Sequence, residues 1–332
     1  MSKRFIAEFK EQSFTQIIFP HAQSDWADYL EEAEDTFIDI INAITEFQKC
    51  LVVCDDVKRV SELFAPHKNL NFVEYQTNDT WARDCSVLCV EEDGKIHLAD
   101  YIFTGWGGKF DAALDNAMSK AISKHYSAPV KSYDFILEGG GVESNDEGII
   151  LTTAECLLNP NRNKEMNKEQ ITDYLKETLG AKEVIYLNHG YLAGDDTDSH
   201  IDTLARFIDE KRIMYVECTN KEDEHYEALK KMEDELKALE KSHGFELIAL
   251  PMTSELWYDN ERLPATYANF LFVNGGVIVP TYGVDEDAEA LEIFAKAMPD
   301  REIIGVDCSV LVRQHGSLHC VTMNFAKGVN II

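Results

Sequence analysis

Short apolar runs rich in β-branched residues alternate with amphipathic stretches along nearly the whole chain. Runs at 50–54, 71–75, 85–90, 149–153, 184–187, 213–216, 246–250, 270–273, 277–280 and 303–306 predict buried strands. Between several of them the spacing changes to that of a helix. With Ser24 as N-cap, Trp26, Leu30, Ala33, Phe37, Ile40, Ile41 and Ile44 fall on one stripe of a segment reaching about Phe47. Further helices are expected over 112–125, 165–179, 222–241 and 286–298. In the fourth of these five helices, Leu229, Met232, Leu236 and Leu239 recur at three- and four-residue steps. Glu227/Lys231 and Glu233/Lys237 line its outer face. That stripe is too short for a coiled coil and suits a surface helix packed on a core.

No Gly/Ser/Pro linker divides the 332 residues, and no exact repeat is present, although a divergent structural repeat is compatible with the pattern. A single α/β domain over residues 1–332 is the expected organisation. At 45% hydrophobic residues the chain can bury a sizeable core. No apolar run approaches the roughly 18 residues of a membrane-spanning helix. Glu8 and Glu11 interrupt the start where a secretion signal would be apolar.

Charge narrows the partners. Sixty acidic against 31 basic residues leave a formal charge of −29, which argues against nucleic acid and permits a small cationic ligand. Solubility alone accounts for most of these charges. The eight cysteines form no CxxC pair and read as reduced, cytoplasmic thiols.

Four segments carry candidate chemistry. In NDTWARD (78–84), an indole at Trp81 beside the carboxylate of Asp84 suits a delocalised cation such as guanidinium, although an ordinary capped turn is equally compatible. In FILEGGG (135–141), Glu138 closes an apolar run before three glycines. The third glycine of a dinucleotide fingerprint is missing, which leaves a carboxylate at a strand end or a plain glycine turn. In GDDTDSHID (194–202), Asp196, Asp198, His200 and Asp202 occupy alternate positions, so an extended chain would put them on one face. Metal binding, a capping loop, or a general acid/base at His200 remain the readings there. In QHGSLHC (314–320), a Gly-Ser turn presents Cys320 ahead of the strand-like VTMNF. His319 would point to the opposite face and is a poor base for it, which favours His200.

Thiol, imidazole and several carboxylates do not resemble a papain-type protease, because clustered negative charge would destabilise an anionic tetrahedral intermediate. The same charge would stabilise a substrate that is positive at the carbon under attack. Guanidinium meets that description.

Taken in order, NDTWARD, LEGGG with ILTTAECLLNPNRN, DDTDSHIDTLARF, NFLFVNGGVIVP and GSLHC resemble the agmatine deiminases of the peptidylarginine deiminase-like, guanidine-modifying superfamily. The resemblance spans residues 78–325, with a weaker echo in 14–20. It implies a pentein fold, a five-bladed ββαβ propeller with pseudo-fivefold symmetry. It also implies Cys320 as nucleophile, Asp84 and Asp202 gripping the guanidinium, and His200 as acid then base. Glu138 would hydrogen-bond His200, while Trp81 and Asp196 would contact the substrate's chain and far ammonium. No metal and no organic cofactor is implied. Neither nucleic acid nor membrane is an expected partner, and a homodimer or higher homo-oligomer is the open expectation. The implied reaction is hydrolysis of agmatine in putrescine biosynthesis. A deiminase of free or peptidyl arginine and a non-catalytic polyamine-binding protein are the alternatives. The chain departs from the family pattern at Ser199, Thr203, Cys85-Ser86 and the N-terminal aromatic motif, where phenylalanines replace tryptophans.

Overall fold

The computed structural model describes residues 3–332. Among the described residues, five small mixed sheets repeat one strand plan. Two antiparallel strands are followed by a helix, which returns the chain to a third strand parallel to the second. One unit pairs Leu88–Glu92 with Lys95–Ile102, passes through the helix Ala113–Ala121 and adds Val130–Ile136. The next uses Glu143–Ser144, Ile149–Thr153, the helix Lys168–Leu179 and Glu183–Leu187. Then come Ala205–Phe207, Arg212–Glu217, the helix Tyr226–His243 and Glu246–Pro251. Leu271–Val273, Gly276–Thr281, the helix Glu286–Ala297 and Glu302–Asp307 form another.

The remaining unit takes its antiparallel strand from the far end of the sequence. Thr322–Ala326 pairs with Gln12–Ile18, which leads through the helix Leu30–Thr45 to Lys49–Cys54 and on to Leu70–Glu74. Strand and helix positions follow the apolar pattern because each middle strand is covered on both faces. In Lys49–Cys54 only the lysine is exposed. The helix Tyr226–His243 buries Leu229, Met232 and Leu236 against the core, as its stripe requires. Lys168–Leu179 opens with a reciprocal Asn167/Gln170 capping box and closes on left-handed Gly180.

Three local expectations need correction. Residues 85–90 are not one strand: Ala82–Cys85 forms a helical turn, and the strand starts at Leu88. Backbone bonding explains this, since Ser86 N donates to Ala82 O while Arg83 N reaches across to Cys320 O. Ser24 does not cap the first helix. Its hydroxyl donates to His21 O, and a 3-10 turn at Ala27–Tyr29 intervenes before Leu30. The strands Lys95–Ile102 and Val130–Ile136 escape the apolar pattern because polar residues interrupt them and the second is mostly solvent-facing.

All eight cysteines are free and buried. Among the described residues no helix is long and apolar enough to cross a membrane.

Candidate active site

Each candidate side chain sits on a connection between units. Asp84 lies in the Ala82–Cys85 turn, Glu138 precedes the 3-10 turn Gly139–Gly141, and His200 precedes the 3-10 turn Ile201–Thr203, which carries Asp202. Cys320 immediately precedes the strand pair made with Gln12–Ile18. These segments converge. His200 Nδ1 lies 3.6 Å from Asp84 Oδ1, and Cys320 Sγ lies 3.9 Å from Asp202 Oδ2. Asp84, Glu138, His200, Asp202 and Cys320 are all buried.

The glycine triplet makes this approach possible. Gly140 N donates to Asp84 Oδ1 at 2.9 Å. A Cβ at Gly140 would lie 2.7 Å from His200 Nδ1, 2.9 Å from Asp84 Oδ1 and 3.1 Å from Asp202 Oδ2. Only glycine fits there without displacing these side chains. Trp81 borders the same region: its ring fills the space beside Gly316, where a Cβ would meet it at 2.1 Å. Its indole N–H donates to Asp79 Oδ2 at 2.9 Å.

Two expectations about orientation fail. The alternation in GDDTDSHID does not produce a common face, because Asp198 and Ser199 both turn left-handed (φ 67° and 63°). Asp195 caps this turn by accepting from Thr197 and Ser199, and Asp198 is drawn away to Arg162, Asn161 and Lys109. Asp196 stays half-buried at the edge of the cluster. Burial raises its pKa to about 6, partly offset by His315 and further raised by Asp195. Glu138, for its part, makes no hydrogen bond to His200. Arg162 Nε donates to both its carboxylate oxygens at 3.0 and 2.9 Å, with both side chains fully buried.

Glu138, Cys156 and His200 bring ligand-type atoms within 4.8 Å of one another. The guanidinium of Arg162 already neutralises Glu138, so this donor set does not fit a metal ion.

Several residues without an assigned role complete the cluster. Trp106 donates its indole N–H to Asp84 Oδ2 at 2.9 Å from a left-handed backbone (φ 53°). A bulky residue in that region is strained, the kind of strain found at functional sites. Asn269 Oδ1 accepts from the backbone N–H of His319 at 2.8 Å and from Cys320 Sγ at 3.4 Å. His319 Nδ1 meets Asp202 Oδ2 at 2.7 Å. Asn269, Cys156 and Arg162 all lie within the family-like motifs, and Trp106 is flagged by its flanking glycines. Their types alone give them no role.

The electrostatics follow from burial and pairing. Burial disfavours a charged ring at His200, yet Asp84, Cys156 and Glu138 outweigh it and hold its pKa well above the histidine norm. Burial also raises Asp84, moderated by His200. Asp202 is held below the carboxylate norm despite burial, because His319 bonds and faces it. Burial, with Asp202 and Asp84 nearby, drives the Cys320 thiol well above its usual value. Among the described residues, both His200 ring nitrogens and Asp202 Oδ1 are buried without a hydrogen-bond partner. Leaving such atoms unmet costs about 1–3 kcal/mol each. A planar cationic donor would satisfy the free Asp202 oxygen.

Comparison with known proteins agrees with this geometry. Residues 4–325 match the Porphyromonas-type peptidyl-arginine deiminase family. A Vibrio parahaemolyticus protein described as a candidate agmatine deiminase is 32% identical over 350 residues, covering 96% of this chain and 95% of the relative. A cysteine-to-serine variant of a C. jejuni agmatine deiminase with substrate bound superposes with a TM-score of 0.94. It is 44% identical, with 98% of this chain and 97% of that one covered. A Porphyromonas gingivalis protein described as a candidate arginine deiminase gives a TM-score of 0.95 at 46% identity, with 99% of each chain covered. Fold and site thus define an enzyme of the deiminase class. The chain belongs to the Porphyromonas-type peptidyl-arginine deiminase family.

Proposed function

We propose that this enzyme hydrolyses agmatine to N-carbamoylputrescine and ammonia through a covalent thiouronium on Cys320. The observation that carries the reading is the convergence of one thiol, one imidazole and two carboxylates, with an Asp202 oxygen and the His200 ring left unpartnered. Asp84 and Asp202 would accept the guanidinium N–H groups and hold the central carbon before the sulfur. In the free site burial, reinforced by the anionic neighbours, keeps the thiol protonated. A bound cation offsets them and favours the thiolate. Sulfur attacks the guanidinium carbon, and His200, held protonated by Asp84, gives its proton to the departing nitrogen as ammonia leaves. The neutral ring then takes a proton from water, whose oxygen adds to the same carbon. Collapse breaks the carbon–sulfur bond, frees the ureido product and restores the thiol.

Trp81 and Asp196 would contact the aliphatic chain and the distal ammonium. Glu138 acts through its ion pair with Arg162, which also holds Thr197 and Asp198 in the loop before His200, and not through a direct bond to His200. The repeated strand plan supports five units closed about a pseudo-fivefold axis, a pentein propeller in one domain. A cytoplasmic place in putrescine synthesis is part of the same reading.

The test is release of ammonia and ureido product from agmatine, arginine and a blocked arginyl peptide, for wild type and Cys320→Ser. Agmatine turnover abolished in the variant supports the proposal. Turnover of arginine but not agmatine overturns the substrate, and an active Cys320→Ser overturns the mechanism.

A further inference from the structure

Asp202 does not stand alone behind the nucleophile. His319, next to Cys320 in sequence, commits its ring to two carboxylates: Nδ1 meets Asp202 Oδ2 at 2.7 Å and Nε2 meets Glu8 Oε2 at 2.5 Å. Both ring nitrogens are thus engaged, and the ring is held between the two carboxylates. Glu8 comes from the N-terminal segment and is itself held on every side. Its Oε1 accepts from Phe272 N at 2.9 Å, and its Oε2 also meets Arg206 at 3.0 Å and Arg83 at 3.1 Å. Arg206 continues to Glu143 and Phe270 O, and Arg83 to Asn324. Glu8, Arg83, Glu143, Asp202, Arg206 and His319 are all buried.

We propose that Glu8 is a positioning residue for the deimination reaction, acting through His319 to fix Asp202. This rests on the guanidinium-gripping role given to Asp202 above. The geometry explains why Asp202 has one committed oxygen and one unpartnered one. Oδ2 is tied back to His319, which fixes the rotation of the carboxylate and leaves Oδ1 to the substrate. Without Glu8, the ring loses the partner that fixes its tilt. Asp202 can then rotate away from the guanidinium. Partners one bond removed from a functional ligand typically matter by about 10- to 100-fold, and that is the scale expected here.

The experiment is a double-mutant cycle with Glu8→Gln and His319→Ala. It uses whichever of agmatine, arginine or blocked arginyl peptide the wild type turns over, so that a wrong substrate assignment is seen separately in the wild type. Glu8→Gln should lower kcat/KM by about tenfold, with KM raised because Asp202 grips the bound cation. In the His319→Ala background, Glu8→Gln should change kcat/KM by less than about twofold, because the route to Asp202 is already cut. An equal loss in both backgrounds, or no loss in wild type, overturns the proposal. Spectra of 15N-histidine-labelled protein read the ring without turnover and report folding at once. The His319 ring signals should change in Glu8→Gln while the rest of the spectrum stays that of a folded protein, and ring signals identical to wild type would overturn the arrangement.

Discussion

Arg162 and Glu138 form a wholly buried ion pair in which a single guanidinium nitrogen reaches both carboxylate oxygens, at 3.0 and 2.9 Å. The same guanidinium donates to Thr197 O at 2.9 Å and to Asp198 Oδ2 at 2.6 Å. One side chain therefore joins the strand end that carries Glu138 to the loop that delivers His200. Arg162→Ala should lower folding stability by about 3–5 kcal/mol, because it strands a carboxylate in the interior. Arg162→Lys keeps the charge but loses the fork and should recover only part of that loss. Urea unfolding midpoints of the two variants check this ordering.

Gly140 offers a steric test. Gly140→Ala places a methyl group within 2.7–3.1 Å of His200, Asp84 and Asp202. A shift of about 1 Å in reacting groups costs about 100-fold, so kcat/KM should fall by at least that factor. The thermal midpoint should move by only a few degrees, because the backbone at Gly140 does not need a positive φ. Steady-state kinetics beside a melting curve separate the two effects.

The reactivity of Cys320 toward iodoacetamide should report its environment. Burial, Asp202 and Asp84 lift the thiol well above the usual value, so the thiolate is scarce at neutral pH and appears only as pH rises. Alkylation of the free enzyme should thus be slow at pH 7 and accelerate steadily above it. Fast labelling at pH 7, indifferent to pH, would show that the anionic neighbours do not act on the sulfur.

The proposed contact of Asp196 with the distal ammonium would give the substrate affinity a pH dependence of definite sign. With a pKa raised to about 6, the carboxylate is charged above that value and neutral below it. KM for agmatine should rise as the pH is lowered from 8 to 5, because the distal ammonium loses its counter-charge. Asp196→Asn should raise KM at pH 8 by about tenfold and remove most of this dependence, as for a charge-assisted contact. A variant whose KM matches wild type at pH 8 would show that the ammonium lies elsewhere.

Much of this molecule was legible beforehand. Most middle strands are nearly continuous apolar runs, with Lys95–Ile102 the exception, and the helices declare themselves through their stripes, while the repeated plan was implied by the family resemblance and not by periodicity. The convergence of Asp84, His200, Asp202 and Cys320 matches the ordered motifs. What escaped depends on partners distant in sequence. Nothing near Glu138 indicates that Arg162 will claim it, and the alternation at 196–202 is broken by two left-handed residues, Asp198 and Ser199, which no pattern of polarity encodes. Glu8 looked like an interruption of an apolar start. It lies 311 positions from the histidine it binds, and only folding brings them together.

The pairing of Thr322–Ala326 with Gln12–Ile18 has a bearing on how the enzyme is made. The sulfur sits at the threshold of the strand that fastens the two extremes of the sequence to each other. During translation the earlier units can collapse as they emerge, yet on the proposed mechanism a chain shorter than 320 residues lacks the attacking sulfur. Competence for the proposed chemistry therefore waits for the late strand to dock on the early one.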